Sequence, residues 1–224
     1  MVEEGSEQRL IVVTALPVAL VVGVFGVSLG VLTSAAGIPE WHVVLMSATV
    51  FAGSAQFAAV STIAAGGGTA AAILAGVLLN SRYLAVGAAC APVLRGGRWR
   101  RFLLAQLVVD ESYSVGLALG DEGRPDRRAL LLAGVMVWLT WVAGTAVGVV
   151  AGPVVGDPRT LGLDAAFPAL FVALLWPQLG RPGARRAAVV GAAVALALAP
   201  FTPDGVPLAG AAVAGLALPL PRVR

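Results

Sequence analysis

Between Leu10 and Pro39, between Trp41 and Ser81, and again between Ala129 and Gly156, the chain carries no Asp, Glu, Lys or Arg. Each of these stretches exceeds the roughly 20 apolar residues with which a helix crosses the hydrocarbon core of a bilayer. With 58% hydrophobic and only 12% charged residues in 224, the chain lies far from the globular balance of about half apolar and a quarter charged. In lipid a spanning segment must satisfy its own backbone hydrogen bonds, and a helix does so without a partner. The sequence therefore predicts an all-α fold, a polytopic bundle of membrane helices forming one integral membrane domain over residues 1–224.

Several function classes fall away on residue type alone. One cysteine, Cys90, and one histidine, His42, leave neither a disulfide framework nor a metal-ligand cluster. No lysine occurs, so there is no P-loop, and all fifteen basic residues are arginine. They gather in short segments between apolar runs, a distribution that signals membrane orientation rather than nucleic-acid binding. No cofactor and no metal are expected, and the bilayer is the extended partner. The opening MVEEGSEQR is acidic and lacks the positive region of a cleaved signal peptide, so the first apolar run is expected to be retained.

Glycine, proline and charge clusters divide the chain into eight apolar segments: Leu10 to Ala36, Val43 to Ala65, Thr69 to Leu94, Phe102 to Gly120, Ala129 to Gly152, Asp164 to Leu179, Ala187 to Pro200 and Val206 to Leu220. If all eight span, Arg95, Arg98, Arg100 and Arg101 lie opposite Arg181, Arg185 and Arg186, which violates the positive-inside rule. The fourth segment is short and holds Asp110 and Glu111 at its middle. It is expected to be broken or re-entrant, giving seven spans, with eight full spans as the alternative. Seven crossings put every arginine cluster and the C-terminal Arg222 and Arg224 inside, and the acidic N-terminus outside. An internal likeness points the same way: GVSLGVLTSAAG from Gly26 resembles GTAVGVVAGPVVG from Gly144. Chance similarity competes in so apolar a chain. A true duplication would relate halves 10–94 and 129–200 as an inverted repeat, as in many transporters.

Within these segments a few polar residues stand at membrane depth. VLLNSRYLAV carries Arg82 where apolar residues are expected. A central Arg or Asp costs about 2.5–3.5 kcal/mol on insertion scales, so Arg82, Asp110 and Glu111 must be shielded. Pairing Arg82 with Asp110 or Glu111 around a hydrated interior leaves one carboxylate for a substrate amine or a proton. A static ion pair, or Arg82 snorkelling to the inner face, is the structural alternative. Gln106, Asp110 and Ser114 recur every four residues and would share one helical face. Asn80 and Arg82, two apart, would point to nearly opposite sides of an unbroken helix, which suggests a local break or two different tasks. Gln56 and Thr49, seven apart, would share a face of the second segment, with Gly53 allowing close approach between them and Thr49 as interhelical hydrogen-bond glue.

Gly26 with Gly30, and Gly144 with Gly148, have the spacing of helix-packing pairs. Pro17, Pro168 and Pro177 are expected to kink or end helices, and Asp164 to cap the sixth segment. Trp41 and His42 suit an interfacial position. GVSLG at Gly26 to Gly30 matches the serine-hydrolase elbow, with His42 as the potential base, but that elbow needs a strand-to-helix turn. No catalytic residue, and no enzyme, is therefore assigned.

FAGSAQFAAV at Phe51 to Val60, NSRYL at Asn80 to Leu84, DESYS at Asp110 to Ser114 and LGLDAAFPALF at Leu161 to Phe171 occur in an order that resembles the AzlC-type branched-chain amino-acid permease family. The resemblance covers nearly the whole length. It implies the large subunit of a two-component exporter of valine, leucine, isoleucine and sometimes methionine, in the inner (plasma) membrane. It also implies a small AzlD-type membrane subunit of about four spans as partner. The positions that carry over are Gln56, Asn80, Arg82, Asp110 and Glu111, while Tyr83 stands where the family often has another aromatic residue or a histidine.

A branched-chain amino acid is a zwitterion with an oily tail, so its path needs a cation, an anion and an apolar wall. Arg82 or a broken-helix N-terminus would receive the carboxylate, and Asp110 or Glu111 the ammonium or a coupled proton, with Phe51, Phe57 and Leu79 as apolar lining. Without a nucleotide-binding motif, transport would be secondary and driven by a proton or other ion gradient. Two rivals remain: a permease of the same architecture for another small solute, and a membrane assembly subunit that moves none.

Overall fold

The structure, a computed structural model, describes residues 2–64, 66–155, 172, 175–176, 179–180, 183–202 and 206–217. Most of the expected sixth segment, the stretch Leu161 to Phe171, Asp164, Pro168, Pro177, Arg181 and the C-terminal Arg222 and Arg224 lie outside the described residues. The regular elements among the described residues are helices, apart from a single bridge between Asp121 and Arg124. In chain order the helices are α1 (Val2–Ala35), α2 (Glu40–Thr49), α3 (Gly53–Ala64), α4 (Thr69–Asn80), α5 (Tyr83–Cys90), α6 (Arg98–Ala105), α7 (Asp110–Ala118), α8 (Arg127–Val155), α9 (Ala184–Leu198) and α10 (Val206–Ala217). Among the described residues three stretches are long and apolar enough to cross a membrane: Gly5–Ala35, Thr69–Cys90 and Arg127–Val155.

The chain forms two compact units, one of Met1–Gly53 with Ser81–Pro158 and one of Ser54–Asn80 with Arg159–Arg224. In the second unit α9 packs on α10, and α10 also meets α4.

The first unit is organised around α1 and α8, which pack along most of their lengths. Small residues make this possible. A Cβ on Gly26 would stand 2.6 Å from the Trp141 carbonyl oxygen, and one on Gly30 would meet that of Thr145. From the other side, a Cβ on Gly144 would strike the Gly23 carbonyl and one on Gly148 that of Val27. The two glycine pairs read as packing pairs in the sequence therefore form one seam, in which backbones approach because no side chain keeps them apart. Polar side chains in it are satisfied locally: Ser47 and Thr145 hydroxyls lie 3.1 Å apart, and the Trp138 indole N–H donates to the Ala48 carbonyl at 3.0 Å.

Contacts along the seam advance in the same direction on both helices. Ile11 and Ala15 cluster with Ala129 and Ala133, Gly26 faces Trp141, Gly30 faces Thr145 and Val149, and Ser34 faces Gly152. The helices are parallel. Two membrane helices related by an inverted repeat run in opposite directions, so the two stretches whose likeness suggested such a repeat are not inverted relative to each other. The arrangement also corrects the expected sidedness. Glu7 at the start of α1 accepts a bond from Arg128 at the start of α8 at 3.1 Å, so the acidic N-terminus and the Arg124 to Arg128 segment lie at the same end. Parallel α1 and α8 require an odd net number of crossings between them, whereas seven spans with a non-crossing fourth segment would give two.

Three of the expected continuous segments are interrupted. The second breaks at Phe51, a buried non-glycine residue with φ of 44°, so α2 and α3 are separate helices. The third breaks at Ser81 and Arg82, between α4 and α5, as the Asn80 and Arg82 spacing suggested. The fourth breaks at 106–109, between α6 and α7.

Candidate functional site

Asp110 is the first residue of α7, and the break before it is stitched by Ser112. The buried Ser112 hydroxyl accepts the Val109 backbone N–H at 3.0 Å and lies 2.8 Å from the Leu107 carbonyl and 3.0 Å from that of Val109, to either of which it can donate. Chain ends on both sides of the break are anchored to α8. Leu107 packs against Gly134, where a Cβ would meet its carbonyl oxygen. Beyond α7, the Asp126 N–H donates to the Gly116 carbonyl at 2.8 Å, and the Asp126 carboxylate caps α8 by accepting from the Ala129 N–H at 2.7 Å.

The path of the fourth segment follows from these contacts. Cys90 and Leu94, at the end of α5, cluster with Leu130 in the first turns of α8, and Leu104 of α6 packs on the same cluster. The chain then reaches the level of Gly134 at Leu107 and returns along α7 to Pro125 and Asp126. From Arg127 to Gly134 the rise is roughly 10 Å. Segment four thus enters and leaves at one end of α8, the broken geometry expected from its charge and length. Arg82 precedes α5, whose eight residues place it roughly 12 Å from Cys90. Two half-helix N-termini meet at similar depth.

There the Arg82 guanidinium Nη2 lies 2.8 Å from the Asp110 carboxylate Oδ2. The side chains keep 34% and 27% of their surface, so the pair is neither sealed nor spread on an open surface. The Arg82 guanidinium also sits over the Tyr83 ring, 5.2 Å from its centroid, an arrangement that stabilises a cation in a poorly solvated place. Glu111 follows in the same turn, partly buried and within electrostatic reach of both Asp110 and Arg82. The cluster presents one cation and two acids, a set able to exchange its internal pairing for the two charges of a zwitterion.

Gln56 and Asn80 belong to the other compact unit. Gln56 is almost fully buried in the first turn of α3. Asn80 ends α4 with its Oδ1 buried and accepting no hydrogen bond from the described residues. The suggested lining residues Phe51 and Phe57 are buried and Leu79 partly so.

Two further sequence readings, those of Gln106 and Thr49, are corrected. Gln106 lies in the break, so it does not share a helical face with Asp110 and Ser114, and the Ser114 hydroxyl bonds the Asp110 carbonyl at 2.7 Å. Thr49 does not bridge helices through its hydroxyl, which donates to Leu45 of its own helix at 2.7 Å. Gly53 makes room for the Trp141 ring. Ser28 sits inside α1 with its hydroxyl donating to the Val24 carbonyl at 3.2 Å, so GVSLG forms no strand-to-helix elbow. Trp41 and His42 are exposed and stack on each other, 3.5 Å between ring centroids. Ser112 and Tyr83 were not read as site residues, because their roles come from the chain breaks beside them.

A family model described as AzlC protein matches residues 17–155. Among curated relatives, the branched-chain amino acid transport protein AzlC of Bacillus subtilis is 25% identical over 173 residues, 77% of this chain and 68% of its own. An uncharacterized membrane protein of Archaeoglobus fulgidus is 33% identical over 210 residues, 92% and 87% of the two chains. A third, from Helicobacter pylori and also an uncharacterized membrane protein, is 23% identical over 172 residues, 76% and 75% of the two chains. No solved structure matches. The family match spans more than half of the chain and runs through both Arg82 and Asp110, and on that ground the protein belongs to the AzlC family of membrane transport proteins.

Proposed function

We propose that this protein is the large subunit of a secondary exporter of branched-chain amino acids, valine, leucine and isoleucine with methionine as a further substrate, in the inner (plasma) membrane. The observation that carries the proposal is the Arg82–Asp110 ion pair at the meeting point of two interrupted helices. Broken helices place charge-complementary backbone ends at membrane depth, which is how many transporters hold small charged solutes. Substrate carboxylate replaces Asp110 at the Arg82 guanidinium, and the released Asp110, with Glu111, takes the ammonium or a coupled proton. Gln56 and Asn80 supply neutral polar contacts on the pathway, and Phe51, Phe57 and Leu79 an apolar wall. The name of the Bacillus subtilis relative supports the substrate class. A small AzlD-type subunit is the proposed partner.

Orientation follows from arginine. The positive-inside rule assigns Arg95 to Arg101 and Arg124 to Arg128 to the cytoplasm, and Glu7 goes with them. The same rule assigns Arg181 to Arg186 and the C-terminus to the cytoplasmic side. Residues 36–97 then make one net crossing and segment four is re-entrant.

The experiment is amino-acid efflux from proteoliposomes holding the protein with and without the small partner, under an imposed proton gradient. Preferred efflux of valine, leucine and isoleucine supports the proposal. Preference for another solute gives the alternative permease, and no solute movement under any gradient gives the assembly subunit.

A further inference from the structure

A cavity of about 520 Å³ opens between α5 and α6, within the range of small-molecule sites. Tyr83 and Val108 lie at its deep end, Leu94 and Phe102 line its wall, and Arg98 and Arg101, one turn apart on α6, stand at the level of the α8 N-terminus. No acid lines it, and among the described residues neither arginine makes an ion pair. Two cations above an aliphatic and aromatic wall accept a carboxylate that carries a short apolar chain, and no carboxylate in the lining pairs with an ammonium. Tyr83 lines this cavity, and the Arg82 guanidinium sits over its ring.

From this juxtaposition we infer that the α5–α6 cavity is an entry vestibule which selects aliphatic carboxylates through Arg98 and Arg101, with Tyr83 as the partition between it and the Arg82–Asp110 pair. The inference rests on the transport reading and adds a first binding step to it. Solute is held here by its carboxylate and tail, and its amino group is recognised only after it passes Tyr83. The vestibule therefore accepts a deaminated analogue that the inner pair rejects for transport.

The test uses the full-length protein with Ala91, in the cavity lining, replaced by cysteine and the native Cys90 by alanine, at normal membrane abundance in neutral phosphatidylcholine vesicles. Labelling of Ala91→Cys by a thiol reagent is expected to slow several-fold with leucine or with 4-methylpentanoate, and to be unchanged by leucine amide. Arg98→Gln with Arg101→Gln abolishes the protection, and the corresponding pair of lysine substitutions restores it. In efflux assays the glutamine pair raises KM about tenfold with little change in kcat, as expected for loss of charge-assisted ground-state binding.

Equal protection by leucine amide overturns the inference, as does protection that survives loss of both arginines. Protection by phosphatidylglycerol without any amino acid also overturns it, because the arginines would then hold lipid headgroups. Carboxylate-specific protection without efflux supports the vestibule and defeats the transport reading. Efflux without protection defeats the vestibule alone.

Discussion

Arg82 and Asp110 are each affordable at membrane depth only because of the other. Removing one partner of a low-dielectric pair leaves an uncompensated charge, which costs about 3–5 kcal/mol in buried settings and less where, as here, a third of the surface remains. Ser112 fixes where Asp110 stands. Ser112→Ala leaves the Val109 N–H and one carbonyl without their partner, a loss of about 1–3 kcal/mol; thermal unfolding should reveal it, together with reduced efflux although Arg82 and Asp110 are intact. By contrast, Ser28→Ala removes only a bond to its own helix. Its efflux and abundance should match wild type, and a large loss would revive a chemical role for GVSLG. Arg82, Asp110 and Glu111 were legible in the sequence because charge stands out against apolar neighbours. Ser112 and Tyr83 were not, since a hydroxyl and an aromatic ring are ordinary in membrane helices and become specific only beside a break.

Among the elements, the α1–α8 seam holds the first unit together, and its glycines are contact points rather than hinges. Gly148→Leu would force the side chain into the backbone of Val27. Overpacking of this kind costs about 1–3 kcal/mol, and loss of folded protein in detergent extracts should follow, while Gly87→Leu, with open space around its Cβ position, should keep normal abundance. The spacing of Gly26, Gly30, Gly144 and Gly148 announced this packing but not its partner or direction. The break after Ala105 was harder to locate. Gln106 to Val109 contains neither glycine nor proline, and the interruption depends on Ser112 and on Leu107 meeting Gly134, contacts that exist only after folding. Phe51 is similar, because its left-handed backbone has no residue-type signal such as glycine would give.

For the whole molecule, the parallel α1–α8 pair turns arginine placement into a statement about sidedness. Cysteines introduced singly at Gln8, Glu122 and Arg98 in a Cys90→Ala background should react with an impermeant thiol reagent from the same face of sealed vesicles. Reaction of Gln8→Cys from the opposite face would contradict the parallel arrangement. The membrane class was evident from uncharged stretches alone, whereas sidedness was misjudged because the acidic N-terminus was weighed by charge without its ion pair to Arg128. Whether the Arg82–Asp110 pair receives the solute is decided by valine efflux measured against membrane abundance for Arg82→Gln, Asp110→Asn and wild type in the presence of the small partner. For both variants efflux per unit of inserted protein is predicted to fall to the protein-free background, at an abundance lowered by loss of the ion-pair partner. Wild-type efflux from either variant at equal abundance would contradict the claim that this pair receives the solute.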